Sequence, residues 1–126
     1  MTIARQAVET FFAEYGQALG SRDAKAIASH WGTPSLVVSD EGPIAVASAG
    51  QVEQFFSSSM QQYAGVAEAK ANIEQINELS ENVVAVEIAW QHKDDRGSVV
   101  GGEKGHYMLS RQNGQLLIFV YVPKSA

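Results

Sequence analysis

The chain has 126 residues, of which 45% are hydrophobic and 18% charged, a balance that predicts a single globular domain rather than a disordered chain. Cysteine is absent, which excludes disulfides, thiolate zinc sites and a cysteine nucleophile. Nine basic and fourteen acidic residues give a net charge of −5, and because the basic residues are scattered, we expect no nucleic-acid partner.

Neither a membrane anchor nor an export signal is predicted. No apolar run approaches the ~20 residues that cross a bilayer. The first twenty residues include Arg5, Glu9 and Glu14 within their apolar pattern, which a signal-peptide core does not tolerate. We therefore expect a cytoplasmic protein with no membrane partner.

The first half of the chain is predicted to contain three helices and a short hairpin. Apolar residues from Ile3 to Leu19 recur in steps of three and four, which indicates an amphipathic helix that ends at Gly20. Pro34 prevents a further helix directly after the second one. The remaining elements are a helix over Ala24–Trp31, strands over Ser35–Asp40 and Ile44–Ala47, and a helix over about Gln51–Tyr63.

The second half is predicted to be strands joined by tight turns, and Asn113-Gly114 is the strongest of the turn signals. The strands cover Glu68–Glu78, Val83–Lys93, Ser98–Arg111 and Gln115–Val122. Three helices followed by hairpin-connected strands predict an α+β fold, with the helices packed on one face of an antiparallel sheet. One such domain accounts for residues 1–126.

Alternation along Val83–Lys93 separates the two faces of the predicted sheet. Its even positions are bulky and are expected to face the helices, while its odd positions are small or mixed. The last strand is apolar on both faces, so its outer face is expected to be covered as well. Because no helix is left to cover it, we predict a homodimer through the outer sheet face. The residues expected at this interface are Ala85, Ala89, Ile118 and Val120.

Several segments of the chain carry a family resemblance. They are Tyr15–Leu19, Arg22-Asp23, Ile27, Trp31, Leu36–Asp40 and Val52–Tyr63. Together they resemble the nuclear transport factor 2-like superfamily, which includes SnoaL-type polyketide cyclases, scytalone dehydratase and ketosteroid isomerase. The chain looks most like the small bacterial members of unassigned function. The resemblance implies a cone-shaped, cystatin-like fold, in which a curved sheet wraps round one long helix and leaves a deep pocket open at one end.

The resemblance also implies a site. Isomerase-type members have a tyrosine on the first helix and an aspartate base on the first strand, and a one-residue insertion near Thr33-Pro34 places Tyr15 and Asp40 there. Gly105 stands where the isomerases have a protonated carboxylic acid, which is a departure from their pattern. We expect a pocket for a small apolar or aromatic ligand, with acid–base catalysis of the isomerase, cyclase or dehydratase type. The alternative is a non-catalytic dimer that binds a ligand or a protein.

Each candidate catalytic residue has two interpretations. Asp40 is either a general base at the rim of an apolar pocket, with Leu36 and Val38 on the same face of the strand, or simply part of a turn. Tyr15 either polarises a carbonyl group of the ligand or packs within the helix stripe. His92 either passes protons at the pocket mouth or is solvated at the end of its strand.

The candidate ligand-binding residues are mainly aromatic, and they form either the lining of a cavity or a solid core. They are Trp31, Val38, Phe56, Trp90, Tyr107, Phe119 and Tyr121. No metal site is expected, because His30, His92 and His106 lack the spacing of metal ligands. The glycines follow no phosphate-loop pattern, and no cofactor is expected.

Overall fold

The computed structural model describes residues 3–58 and 65–124 of the chain. These residues form three helices and six strands, which confirms the predicted α+β class. The helices are α1 (Arg5–Ser21), α2 (Ala24–Ala28) and α3 (Ala49–Ser58). The strands are β1 (Trp31–Ser39), β2 (Gly42–Val46), β3 (Glu68–Ser80), β4 (Val83–Lys93), β5 (Val99–Gln112) and β6 (Gln115–Lys124). The predicted end of the third helix, at Tyr63, lies outside the described residues.

The six strands form one sheet in the spatial order β2-β1-β6-β5-β4-β3. Four of the five pairings are antiparallel, whereas β1 runs parallel to β6. The expected antiparallel sheet is therefore mixed at this one ladder. The reason is topological, because β1 and β2 precede the β3–β6 meander and the hairpin they form docks beside the last strand of the chain.

The core lies between α1 and one face of the sheet, which we call the inner face. Val8, Phe12, Tyr15 and Leu19 of α1 are fully buried, as their spacing of three and four residues predicts. The even positions of β4 from Val84 to His92 are buried in the same core, while its odd positions are half-buried or exposed. The period-two prediction for this strand is confirmed. Among the helices of the described residues, none has both the length and the apolar character needed to span a membrane.

Helix α2 is shorter than predicted. Asp23 caps its first turn by accepting hydrogen bonds from the backbone N–H groups of Lys25 (3.0 Å) and Ala26 (3.3 Å). The helix ends at Ala28, and the backbone N–H of Ile118 donates to the carbonyl of His30 (2.9 Å). Pairing with β6 therefore takes over from Trp31 onward, so that residue begins a strand and does not end a helix.

An irregularity in the pairing of β1 with β6 falls between Trp31 and Leu36. Beyond it, Val37 is 4% exposed and lies opposite Tyr121, whereas Leu36 is 40% exposed. The inner-face residues of this part of β1 are thus Ser35 and Val37. The prediction that Leu36, Val38 and Asp40 turn toward the interior is wrong, because the odd-numbered positions of β1, beginning with Trp31, are the ones that face the core.

A second irregularity lies in β6, where Met108 pairs with Val120 but Leu109 pairs with Ile118. Phe119 is the extra residue of this bulge. Ile118 consequently faces the core and is fully buried, so its predicted place at a dimer interface is wrong. Phe119 leaves the inner face as well, and its ring lies directly over Gly32.

Candidate functional site

Trp90 of β4, Tyr107 of β5 and Tyr121 of β6 form a continuous wall on the inner face. The indole N–H of Trp90 donates a hydrogen bond of 3.0 Å to the Tyr107 hydroxyl. The rings of Tyr107 and Tyr121 are stacked, with their centroids 4.7 Å apart. Trp90 and Tyr107 are each 3% exposed, while Tyr121 is half-buried. The wall thus runs from the buried core toward a more open position at Tyr121.

Tyr15 completes this wall from the helix side. Its ring centroid is 6.0 Å from that of Trp90 and 6.3 Å from that of Tyr107. Its hydroxyl is buried and accepts a hydrogen bond of 3.0 Å from the indole N–H of Trp31. The ring of Trp31 in turn packs 5.8 Å from that of Phe56 on α3. The Tyr15 ring therefore packs within the apolar stripe of α1, and its hydroxyl group also points into the interior.

Glu103 is an acidic residue of the inner face that the sequence analysis missed. Its Cα partner across the β4–β5 ladder is Trp90, and it precedes Tyr107 by four residues on the same strand. Since neighbours in a ladder share a face, the half-buried carboxylate lies on the side of the aromatic wall. Glu103 is two and four residues from Gly105 and Tyr107, and this alternation is the signal in the sequence that could have placed it on the inner face.

Gly105 lies between Glu103 and Tyr107, and its empty side is used by the aromatic wall. A Cβ atom at this residue would be 2.6 Å from Cε1 of Tyr121 and 3.4 Å from the carbonyl oxygen of Val122. The Tyr121 ring therefore occupies the space in which a side chain at residue 105 would stand. The carboxylate on the inner face of this part of β5 belongs to Glu103, two residues before Gly105.

The electrostatics of the wall keep its phenols protonated. Burial is the main cause that raises the pKa of Tyr107, followed by Tyr15 and Tyr121, while the hydrogen bond from Trp90 lowers it. Burial also raises the pKa of Tyr121 well above the ordinary value, and the charge of Glu103 raises it further. A hydrogen bond from Tyr107 acts in the opposite direction on the pKa of Tyr121. Trp90 and Tyr107 are therefore joined by a hydrogen bond, Tyr107 and Tyr121 by ring stacking, and the charge of Glu103 acts on both phenols.

His92 lies at the end of the inner face of β4, with 8% of its surface exposed. Its ladder partner is Gly101, and a Cβ atom built there would meet Nδ1 of His92 at 3.9 Å and no nearer described atom. His92 is thus buried opposite a glycine that is itself exposed at the end of β5.

Asp40 is placed differently from Tyr15 and His92. It is exposed in the turn that joins β1 to β2. Two strands, β6 and β5, separate β1 from β4, so Asp40 and His92 are about three strand spacings, or ~14 Å, apart across the sheet. The structure brings Tyr15 to the aromatic wall, places His92 at its end and leaves Asp40 outside it.

The predicted lining residues divide between the two faces of the sheet. Five of them lie on the inner side, where they contact one another or the core: Trp31, Phe56, Trp90, Tyr107 and Tyr121. Val38 lies toward the outer face because the buried positions of β1 are the odd ones, and Phe119 does so because of the bulge in β6. The predicted positions of both residues in the interior are therefore wrong.

Three hollows of the described surface have volumes of about 760, 790 and 500 Å³. The first lies between α1 and β3, the second beside His30 and Leu116, and the third beside Gly32 and Phe119. None of these three is lined by Trp90, Tyr107 or Tyr121, whose rings pack closely together. Within residues 3–58 and 65–124, no three histidine or acidic side chains are grouped as metal ligands.

Comparison with known proteins gives a family and a set of similar folds. A family model described as NTF2-like protein (DUF6841) matches residues 4–126. No curated protein sequence matches the chain.

Solved structures resemble the chain in fold at low sequence identity. A domain of unknown function with a cystatin-like fold from Nostoc punctiforme has a TM-score of 0.75 at 8% identity, and the match covers 96% of this chain and 76% of that one. An NTF-2 like protein of unknown function from Shewanella oneidensis has a TM-score of 0.72 at 12% identity, with 95% and 98% covered. A ketosteroid isomerase-like protein from Erwinia carotovora atroseptica has a TM-score of 0.69 at 15% identity, with 96% of each chain covered.

Proposed function

Since the chain belongs to the NTF2-like family, we propose that it binds a small, largely apolar molecule at the Glu103 end of its inner sheet face. The observation that carries this proposal is the aromatic wall of Trp90, Tyr107 and Tyr121, joined by one hydrogen bond and one ring stack, on the same face as the half-buried Glu103. Aromatic rings offer apolar contact area, and a few fixed polar groups orient the ligand, as in most small-molecule sites. Gly101, two residues before Glu103 on β5, is exposed, and the ligand would enter at this end of the strand.

Acid–base chemistry of the isomerase, cyclase or dehydratase type is a second, finer part of this proposal. On the inner face, Glu103 and His92 are the groups suited to accept a proton, and the protonated Tyr121 hydroxyl is suited to orient the ligand by a hydrogen bond. Asp40 is less suited, because it is exposed in a turn. Proton exchange at the α-carbon of a bound ketone in heavy water, followed by NMR, tests this part against Glu103→Gln.

Tryptophan emission gives a direct test of ligand binding. The chain has two tryptophans, Trp31 and Trp90, and both are buried in the aromatic interior. Trp31→Phe leaves Trp90 as the single emitter beside the proposed site. Titration with a series of neutral aromatic alcohols and ketones should give a saturable change in emission and a rise in Tm that grows with ligand concentration.

A matched pair of variants locates the binding. Tyr121 and Val120 are neighbours on opposite faces of β6. Tyr121→Leu should weaken binding about tenfold or more, because it removes both the ring and the hydroxyl. Val120→Ala should leave the affinity unchanged. Equal loss in both variants, or no saturable signal with any ligand of the series, would refute binding at this wall.

We further propose that two copies of the chain associate through the outer sheet face. The half-buried apolar residues on that face are Ala85, Ala89, Met108, Leu117, Phe119, Val120 and Val122. Charged groups of both signs flank them, with Glu87 opposite His106 in the β4–β5 ladder and Lys104 in contact with Glu74 at 3.5 Å. A self-complementary patch of this kind suits a two-fold dimer, which typically buries more than about 1,000 Å².

Light scattering at micromolar concentration tests the dimer. Val120→Asp should give a monomer, because it places a charge in the centre of the proposed interface. Leu79→Asp is the control, since Leu79 is 54% exposed near the end of the edge strand β3. A monomeric wild-type chain at ~10 μM would contradict the proposal.

A further inference from the structure

His30 follows α2 and lines the second hollow of the described surface, which has a volume of about 790 Å³. This hollow lies between three parts of the chain: the first three turns of α1, the segment Ser29-His30 and the β5–β6 turn at Gly114. The residues of the aromatic wall do not belong to its described lining. It is therefore distinct from the site proposed on the inner face.

The position of His30 is fixed by its backbone and by its ring. The backbone N–H donates to the carbonyl of Ile27 at 3.1 Å, and the carbonyl accepts from the N–H of Ile118 at 2.9 Å. The imidazole packs against the rings of Phe11 and Tyr15, each with a centroid distance of 5.4 Å. A ligand in the hollow therefore meets a side chain that is already in place, which lowers the ordering cost of binding.

A hydrogen bond at Nδ1 fixes the tautomer of the His30 ring. Nδ1 is 3.0 Å from the carbonyl oxygen of Ala26, and because a carbonyl oxygen only accepts, Nδ1 carries the proton of the neutral ring. The Ser29 hydroxyl lies 3.4 Å from Nδ1 but donates to the same carbonyl at 2.6 Å, so it does not supply this proton. Nε2, on the opposite side of the ring, then carries the lone pair that accepts a hydrogen bond.

The described lining of this hollow favours positive charge. Glu14 is its one residue with a permanent charge, since neither lysine nor arginine occurs among the described lining residues. The net charge of −5 acts in the same direction on an approaching ligand. The other described lining residues are neutral, and they include the apolar side chains of Ala4, Ala7, Phe11 and Leu116.

We infer that this hollow is a second binding site, whose ligand is an organic cation of the amidinium or guanidinium type attached to an apolar group. Such a cation has several N–H donors in one plane and no acceptor. One N–H donates to Nε2 of His30, and another donates to the carboxylate of Glu14. Hydrogen bonds from a cation to a carboxylate are about twice as strong as neutral ones. The apolar group contacts the apolar residues of the lining.

Benzamidine and benzamide provide a matched pair of probes, because they have nearly the same shape and only benzamidine is cationic. Calorimetric titration at pH 8, above the ordinary pKa of histidine, should show benzamidine binding about tenfold or more tightly than benzamide. Long-range ¹H–¹⁵N NMR of the histidine rings locates the binding. It should show His30 protonated at Nδ1, and benzamidine should shift the Nε2 signal of His30 but not those of His92 and His106.

Two variants and two controls assign the contacts. Glu14→Gln should remove the preference for benzamidine, whereas Glu9→Gln should keep it. Glu9 is a suitable control, because it is exposed on the same helix, is paired with Arg5 at 3.4 Å and lines a different hollow. His30→Asn retains an N–H near the position of Nδ1 but lacks Nε2, and it should weaken benzamidine about tenfold. His106→Asn, at an exposed histidine of the outer face, should have no effect.

Equal binding of the two probes, or a preference that survives in Glu14→Gln, would overturn this inference. A His30 ring protonated at Nε2 in the unliganded protein would overturn it as well, and that measurement requires no variant. Benzamidine that changes the emission of Trp90 and loses affinity in Tyr121→Leu, but not in His30→Asn, is bound at the aromatic wall, which overturns this inference and supports the proposed function. Binding of neither probe overturns this inference alone.

Discussion

The packing of α1 against β3 leads to a sharp prediction at Gly16. This residue lies in the middle of the helix, where alanine is normally preferred over glycine by about 1 kcal/mol. Here a Cβ atom would overlap the backbone carbonyl oxygen of Ala69 and would stand 3.2 Å from the Trp90 ring. Because the obstacle is backbone, the helix or the strand has to move.

The net effect of Gly16→Ala follows from two opposing contributions. Overpacking in a close-packed interior costs about 1–3 kcal/mol, and a backbone obstacle places this site at the upper end. The gain in helix propensity returns about 1 kcal/mol. We therefore expect a loss of about 2 kcal/mol in the free energy of unfolding. For a chain of 126 residues this corresponds to a decrease in Tm of roughly 8 °C.

Urea unfolding and calorimetry of Gly16→Ala, with Gly50→Ala as the control, measure this effect. Gly50 lies in the first turn of α3, and a Cβ atom there would meet nothing closer than Ser48 Oγ at 3.8 Å. This control should therefore be stabilised by up to ~1 kcal/mol. The two variants should change stability in opposite directions. A Gly16→Ala variant as stable as the wild type would refute the close approach of α1 to β3, and with it the seating of Tyr15 against the aromatic wall.

Three further predictions follow from burial and charge. Raising the pH above about 10 should lower the free energy of unfolding measured in urea, because the pKa values of Tyr107 and Tyr121 are higher in the folded than in the unfolded chain. Tyr121→Phe should make this decrease less steep, and a decrease of unchanged slope in the variant would contradict the prediction. Ile118→Ala should cost about 2–5 kcal/mol and Val120→Ala clearly less, and equal costs would contradict the bulge in β6. Asp40→Asn should change stability by no more than ~0.5 kcal/mol, and an affinity loss as large as that of Glu103→Gln would return Asp40 to the site.

Periodicity in the sequence was sufficient for the main elements of the fold. The stripe of α1 and the alternation of β4 are each governed by one buried face, so a local pattern identifies them. The two places where face assignment failed are the part of β1 around Leu36 and Phe119 of β6. In β1 the polar Ser35 is buried and the apolar Leu36 is exposed, so hydrophobicity alone assigns the wrong face. In β6 one extra residue is accommodated by pairing with β5, and nothing in the local alternation reveals where the register changes.

Only the apolar part of the candidate site could be predicted, because a single sequence does not specify which residues lie opposite one another in neighbouring strands. Trp90, Tyr107 and Tyr121 are large and alternate, so their common face can be deduced strand by strand. Glu103 follows the same parity as Tyr107, but an acidic residue near a strand end is ordinarily read as solvated. Its place beside the wall depends on the cross-strand register with Trp90, which a single sequence does not specify.

The arrangement of β5 shows how a carboxylate is kept within an aromatic wall. Gly101 and Gly105 stand two residues before and after Glu103 on the same face. The absence of a side chain at residue 105 admits the Tyr121 ring, which brings the Tyr121 hydroxyl into the field of the carboxylate. At residue 101 a Cβ atom would approach Nδ1 of His92 to 3.9 Å, an ordinary contact distance. A larger residue at position 105 would instead separate the Tyr121 phenol from the charge, so Gly105 is as much a part of the proposed site as Glu103 itself.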